Sequence, residues 1–220
     1  MYKACIFDLD GTLTDTLESL TYSVNATLRE LGLGQITHEQ CKSFVGHGAR
    51  RLIEDSMKAA GEQEPLIIDE GMEIYGRIFK ENCTYQVAPY EGIEQLLADL
   101  KSEGVRLAVL SNKPHLQTKD VVKTFFEEGT FVCVQGQQEH IPRKPDPTGI
   151  YQVLESLGVT KEECIYIGDS DVDMLTGRAA GVATIGVTWG FRTKEVLEAH
   201  QATYIVEKPE EIISIVKGAE

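Results

Sequence analysis

The chain has no apolar run of membrane-spanning length, no low-complexity segment and no internal repeat. Their absence removes helical membrane spans, flexible linkers and solenoid architectures from the reading. Basic residues are scarce: 21 Lys and Arg stand against 35 Asp and Glu, for a formal charge of −14. That balance argues against nucleic acid and anionic membranes as partners, and it obliges any anionic ligand to find a locally positive pocket. Cys5, Cys41, Cys83, Cys133 and Cys164 are odd in number and lack CxxC spacing, a pattern of reduced thiols in the cytoplasm rather than of disulfides or a zinc site. The first apolar run begins so near the N-terminus that no signal or transit peptide is expected. What remains is a 220-residue chain with 42% hydrophobic residues, enough for a sizeable core in one domain or in a domain with an insertion.

Periodicity divides the chain in two. Leu17, Leu20, Val24, Leu28 and Leu31 recur at three- and four-residue steps, predicting a helix stopped by Gly32 and Gly34. Thr37 is placed to cap a short helix to Phe44, and further helices are expected from Ala49 to Ala60 and from Leu66 to Phe79. After Pro89 helix and strand alternate. Strands are expected at Val105 to Leu110, Phe131 to Val134, Cys164 to Ile167, Val182 to Ile185 and Tyr204 to Val206, with helices between them, including one from Gln117 to Phe126. This alternation predicts an α/β fold: a doubly wound, mostly parallel sheet with helices on both faces. Residues 1–14 and 89–220 would form the core, and residues 15–88 an α-helical cap inserted after the first strand.

The most informative stretch is Ile6-Phe7-Asp8-Leu9-Asp10-Gly11-Thr12. Ala4 to Phe7 reads as a buried strand broken by Gly11, and in open α/β sheets chemistry collects at the carboxyl ends of strands. On an extended backbone alternate residues share a face, so Asp8 and Asp10 can address one ligand while Leu9 packs away. Three other segments join it: Ser111-Asn112-Lys113 after an apolar run, Arg143-Lys144-Pro145-Asp146-Pro147 before a helix, and Gly168-Asp169-Ser170-Asp171-Val172-Asp173 after Ile165-Tyr166-Ile167. In order and spacing the four resemble the motifs of the haloacid dehalogenase-like (HAD) phosphohydrolase superfamily. The helical insert, with Asp10-Gly11-Thr12-Leu13 and Lys144-Pro145-Asp146-Pro147, resembles the phosphoglycolate phosphatase-type branch, with its Rossmann-like core.

The resemblance implies a Mg²⁺-dependent phosphatase of a small phosphorylated metabolite, phosphoglycolate first, acting as a monomer or homodimer. Asp8 would be the nucleophile of an aspartyl-phosphate intermediate, and Asp10 the general acid and base. Mg²⁺ would be held by Asp8, the backbone carbonyl of Asp10 and Asp169, with Asp173 behind a metal-bound water. Ser111, Asn112 and Lys144 would bind the phosphoryl group. The same Asp169 to Asp173 run also suits a helix N-terminus.

Between Asp15 and Ala88 seven Lys and Arg face twelve Asp and Glu, so anion contacts from this segment must be local. Gly46-His47-Gly48-Ala49-Arg50-Arg51 opens a helix and resembles the cap's substrate loop, making Arg50 and His47 the candidate substrate contacts, with Arg51 facing another side. Related activities are a pyrophosphatase or another sugar or nucleotide phosphatase. A phosphomutase fits less well: the related β-phosphoglucomutases carry a His four residues after the Thr matching Thr16, and Leu20 stands there. A non-catalytic binding protein sits poorly with retention of all the charged motif positions.

Overall fold

The computed structural model describes residues 1–62 and 64–218. In chain order its elements are β1 (Ala4–Phe7), β2 (Thr14–Asp15), α1 (Leu17–Glu30), α2 (His38–Phe44), α3 (Ala49–Ala59), α4 (Pro65–Asn82), β3 (Ala88–Pro89), α5 (Ile93–Ser102), β4 (Arg106–Pro114), α6 (His115–Phe125) and β5 (Cys133–Gln137). Then follow α7 (Thr148–Leu157), β6 (Cys164–Gly168), α8 (Asp171–Ala180), β7 (Ala183–Val187), α9 (Lys194–Ala199), β8 (Tyr204–Val206) and α10 (Glu210–Lys217). Six strands form one sheet in the order β5-β4-β1-β6-β7-β8, and every pairing in it is parallel. Parallel neighbours require crossover helices, and these cover both faces.

Pleat alternation assigns each strand residue to a layer. Cys5 and Phe7 of β1, Leu107 and Val109 of β4, and Ile165 and Ile167 of β6 pack on one face with α5 and α10. Ala4 and Ile6, Ala108 and Leu110, and Cys164 and Tyr166 pack on the other with α7. The chain passes from β1 out to β4 and β5, then returns to the opposite side of β1 with β6. This reversal opens a crevice at the carboxyl ends of β4, β1 and β6.

Helices α1 to α4 surround a separate apolar cluster built on Leu20, Val24, Leu28, Ile53, Met57, Tyr75 and Phe79, into which Phe191 from the loop after β7 also packs. The entry to and exit from this segment are tied by an antiparallel pairing of Thr14 with Pro89 and Asp15 with Ala88. This ribbon was not expected, because two-residue strands carry no readable alternation. Thr37 caps α2 as predicted: its hydroxyl accepts the Gln40 N–H at 3.2 Å, and Gln40 Oε1 accepts the Thr37 N–H at 2.9 Å, a reciprocal capping box.

The strands β6 and β7 shift from expectation by one or two residues at an end, and β4 and β5 by more. β4 continues through Ser111, Asn112 and Lys113 to Pro114, with a register irregularity between Leu110 and Pro114, so its polar residues lie on extended backbone rather than in a turn. β5 runs from Cys133 to Gln137, displaced from the expected Phe131 to Val134 because its polar end carries no apolar signal. The five cysteines are free. Among the described residues no helix is long and apolar enough to cross a membrane.

Candidate active site

β1 and β6 end side by side and deliver three carboxylates. Asp8 follows β1, where its N–H donates to the Ile167 carbonyl at 2.9 Å. Its Oδ1 accepts the Leu9 N–H at 2.7 Å and lies 3.0 Å from Lys144 Nζ. Asp169 follows β6; its Oδ2 accepts the Phe191 N–H at 2.7 Å and its Oδ1 the Thr12 hydroxyl at 3.2 Å. Asp173 lies in the first turn of α8, where Ser170 donates to Oδ2 through both its hydroxyl, at 2.6 Å, and its N–H, at 3.1 Å. Ligating atoms of Asp8, Asp169 and Asp173 fall within 4.8 Å of one another. The backbone leaves no room for side chains here: a Cβ on Gly168 would meet Asp173 Cγ at 2.3 Å, and one on Gly190 would meet the Gly11 carbonyl at 2.3 Å.

Lys144 answers this charge from the loop before α7. It is 4% exposed, and its ammonium donates to Asp173 Oδ1 at 2.8 Å, to the Tyr166 hydroxyl at 2.9 Å and to the Leu110 carbonyl at 3.3 Å. Tyr166 in turn donates to Asp173 Oδ1 at 2.7 Å. Asn112 anchors the segment: its Oδ1 accepts the Lys144 N–H at 2.9 Å and its Nδ2 donates to the Lys144 carbonyl at 3.0 Å.

One ammonium cannot compensate three buried carboxylates. Burial pushes Asp8 up to about 7; Lys144 opposes the shift, while Asp173 and Asp10 add to it. Burial, then Asp173 and Asp8, push Asp169 up to about 8. For Asp173 burial also acts upward, but Lys144, Ser170 and Tyr166 outweigh it and hold the carboxyl below its ordinary value. Burial would lower Lys144, yet Asp173 and Asp8 raise it instead. The set is therefore short of positive charge at Asp8 and Asp169, and oxygen donors in that state suit a hard divalent cation. Asp173 has both oxygens engaged by Lys144, Tyr166 and Ser170, which fits a place behind the ligands rather than among them.

Asp10 points into the same crevice, with Lys113 Nζ 3.0 Å from its Oδ1. Ser111 and Asn112 line the core side, and Leu20, Val45, Leu52, Tyr75 and Phe79 form an apolar wall opposite. Three core side chains hold the end of α2 and the loop ahead of α3 by their carbonyls. Asn112 Nδ2 donates to Gly46 at 2.9 Å, Arg143 to His47 at 2.9 Å, and Arg192 to Lys42 at 2.9 Å and Val45 at 2.6 Å.

The structure thus brings together Asp8, Asp10, Ser111, Asn112, Lys144, Asp169 and Asp173. Arg50 and His47 do not line the crevice that holds Asp8, Asp10, Ser111, Asn112 and Asp169. Arg50 lies on the solvent side of α3, with Nε 3.1 Å from Glu54 and Nη1 2.9 Å from Asp69, and Arg51 pairs with Asp55 at 2.8 Å. With His47, Arg143, Lys144 and Pro145 they line a second depression. The reason is geometric: α3 buries Leu52, Ile53, Ser56 and Met57, which turns its arginines away from the crevice. Lys113, Tyr166 and Arg192 received no role from the sequence. Lys113 belongs to a recognised motif segment; Tyr166 looks like any strand residue, and Arg192 carries no local signal.

The model of the family described as haloacid dehalogenase-like hydrolase matches residues 5–187. The phosphoglycolate phosphatase of Aquifex aeolicus is 30% identical over 213 residues, covering 97% of this chain and 96% of that protein. That of Haemophilus influenzae is 29% identical over 219 residues, covering 97% and 98%. The crystal structure of a candidate phosphoglycolate phosphatase from Lactobacillus delbrueckii superposes with a TM-score of 0.89 at 32% identity, covering 98% of each chain. With the crevice built as described and the match spanning most of its length, the chain belongs to the haloacid dehalogenase-like hydrolase family.

Proposed function

We propose that the protein is a Mg²⁺-dependent phosphatase that hydrolyses a small phosphomonoester through an aspartyl-phosphate on Asp8, with phosphoglycolate the first substrate to test. The observation that carries this reading is the asymmetry of Asp8. Its Oδ1 is held by the Leu9 N–H and Lys144, while its Oδ2 accepts no hydrogen bond from any described residue. One oxygen is fixed and the other is left to react.

Asp8 Oδ2 attacks phosphorus, the bond to the ester oxygen breaks, and Asp10 gives that oxygen a proton. Asp10 then takes a proton from water as the water attacks phosphorus, and the Asp8–phosphorus bond breaks to release phosphate. The Ser111 hydroxyl holds a phosphoryl oxygen as charge builds on it, and Lys144, 3.0 Å from Asp8, keeps a fixed positive charge beside the transferring group. Asp8, Asp169 and the Asp10 carbonyl would hold the metal, which when bound supplies the positive charge that lets a carboxylate meet a phosphate dianion. Residues 15–88 act as a cap whose apolar wall excludes water from the intermediate. Leu20 lines the crevice where a phosphomutase would need a group to guide a second hydroxyl, so water is the acceptor. The names borne by the Aquifex and Haemophilus relatives support phosphoglycolate.

The test is steady-state hydrolysis of a panel of phosphorylated metabolites with Mg²⁺ and with excess EDTA. Turnover that requires Mg²⁺ is expected; undiminished turnover in EDTA removes the reading.

A further inference from the structure

Two cations line the crevice, Lys113 and Arg192, and Lys144 stands beside it on Asp8. Two of the three are saturated by protein. Lys144 donates to Leu110, Tyr166 and Asp173 and pairs with Asp8. Arg192 spends its guanidinium on the carbonyls of Lys42, Ser43 and Val45 and on Asp171, 3.4 Å away. Lys113 differs. Its side chain is 1% exposed, yet among the described residues its ammonium has one hydrogen-bond acceptor, Asp10 Oδ1 at 3.0 Å. The face of Phe79 lies 4.7 Å from the nitrogen. An ammonium carries three N–H donors, and a buried cation with spare donors is costly unless a second acceptor joins it.

We propose that Lys113 is the receptor for a carboxylate on the leaving group of the substrate, an assignment that rests on the phosphatase reading of the same crevice. Position fixes which part of the substrate it reads. Lys113 is hydrogen-bonded to Asp10, the residue that protonates the ester oxygen, so it meets the leaving group within a few bonds of that oxygen. Phe79, Tyr75, Leu52 and Leu20 close the crevice around it, which selects a short carbon chain. The charge balance selects a carboxylate over a second phosphoryl group. One ammonium already shared with Asp10, in a crevice that also holds Asp8 and Asp169, compensates a monoanion but not a further dianion. Lys113 thus takes the part that Arg50, paired with Asp69 and Glu54 outside, does not fill.

The test compares phosphoglycolate with 2-hydroxyethyl phosphate, its neutral analogue, as a ratio of kcat/KM values in wild type, Lys113→Met, Lys113→Gln and Lys113→Arg. Active-site concentration and any fault in Asp10 common to both substrates cancel in the ratio. Wild type should prefer the carboxylate substrate by roughly tenfold or more. Lys113→Met and Lys113→Gln should lower the ratio roughly ten- to a hundredfold, the usual worth of a charge-assisted hydrogen bond, and Lys113→Arg should retain most of it. A wild-type enzyme without the preference overturns the proposal even where the variants do not fold. A ratio that moves less than about threefold in Lys113→Met, well short of such a bond, overturns it too. If wild type hydrolyses neither these esters nor any other phosphomonoester of the panel, the phosphatase reading falls as well. If the neutral ester is hydrolysed and only the ratio fails to respond, the assignment of Lys113 alone is wrong.

Discussion

Replacing Lys144 by Met removes the ammonium while keeping most of the volume of the side chain. In wild type that ammonium is 3.0 Å from Asp8 and 2.8 Å from Asp173, so its loss leaves two buried carboxylates without a cation. Breaking a buried pair by removing one partner costs about 3–5 kcal/mol, a large share of the roughly 5–15 kcal/mol that stabilises a typical domain. The cost depends on pH in a defined sense. In wild type Asp173 is held below its ordinary value by Lys144, and that contribution to stability is lost only as pH falls into the acid range. In the variant Asp8 loses the cation that opposes its upward shift and Asp173 loses the largest of the groups that hold it down, so the folded state gains protons relative to wild type and the loss of stability grows as pH rises. Urea unfolding in EDTA at pH 5 and pH 8 reads this directly. The variant should lose about 3–5 kcal/mol at pH 8 and, once its carboxylates are protonated at pH 5, a penalty nearer the roughly 1 kcal/mol of ordinary lost hydrogen bonds. Equal losses at the two pH values, or none at pH 8, would refute the reasoning that Lys144 acts as counter-charge.

Two further outcomes follow from the same site. Asp10→Asn should slow both formation and breakdown of the phosphoenzyme, by roughly 10²- to 10⁴-fold, with the divalent-metal affinity largely kept because the proposed ligand is its backbone carbonyl; rapid-quench kinetics with unchanged rates for both steps would make Asp10 structural. With Asp8 near 7 and Asp169 near 8 in the folded state, metal-free protein should lose stability as pH rises from about 4 to about 8, since the unfolded chain releases these protons earlier. Mg²⁺ competes with those protons, so the melting-temperature increase it produces should be larger at pH 8 than at pH 5; an increase independent of pH would remove Asp8 and Asp169 from the metal site.

The features legible in the sequence are those written in local patterns. Apolar runs marked β1, β4 and β6, and the residues directly after them are the acidic and polar groups of the crevice. Thr37 announced the start of α2 and the acidic run Asp169 to Asp173 that of α8, where Asp173 both joins the cap and belongs to the carboxylate cluster. What the sequence could not carry is the partner found across the fold. Lys113 and Asp10 are 103 positions apart, and nothing local to either states that they meet. Helix periodicity shows that Arg50 and Leu52 diverge on α3, but not which side of α3 meets the crevice, and for this reason Arg50 was expected inside. Arg192 reads as an ordinary loop residue until the carbonyls of Lys42 and Val45 are brought to it by tertiary packing.

The claim at the centre of the account is that Asp8 becomes phosphorylated. Wild-type protein mixed with Mg²⁺ and radiolabelled phosphomonoester, quenched in acid within a single turnover and digested, should yield label on the peptide carrying Asp8. Hydroxylamine should release that label, as expected of an acyl phosphate, and folded Asp8→Asn should show none. Full turnover with no acid-stable label, or label that persists in Asp8→Asn, would contradict it.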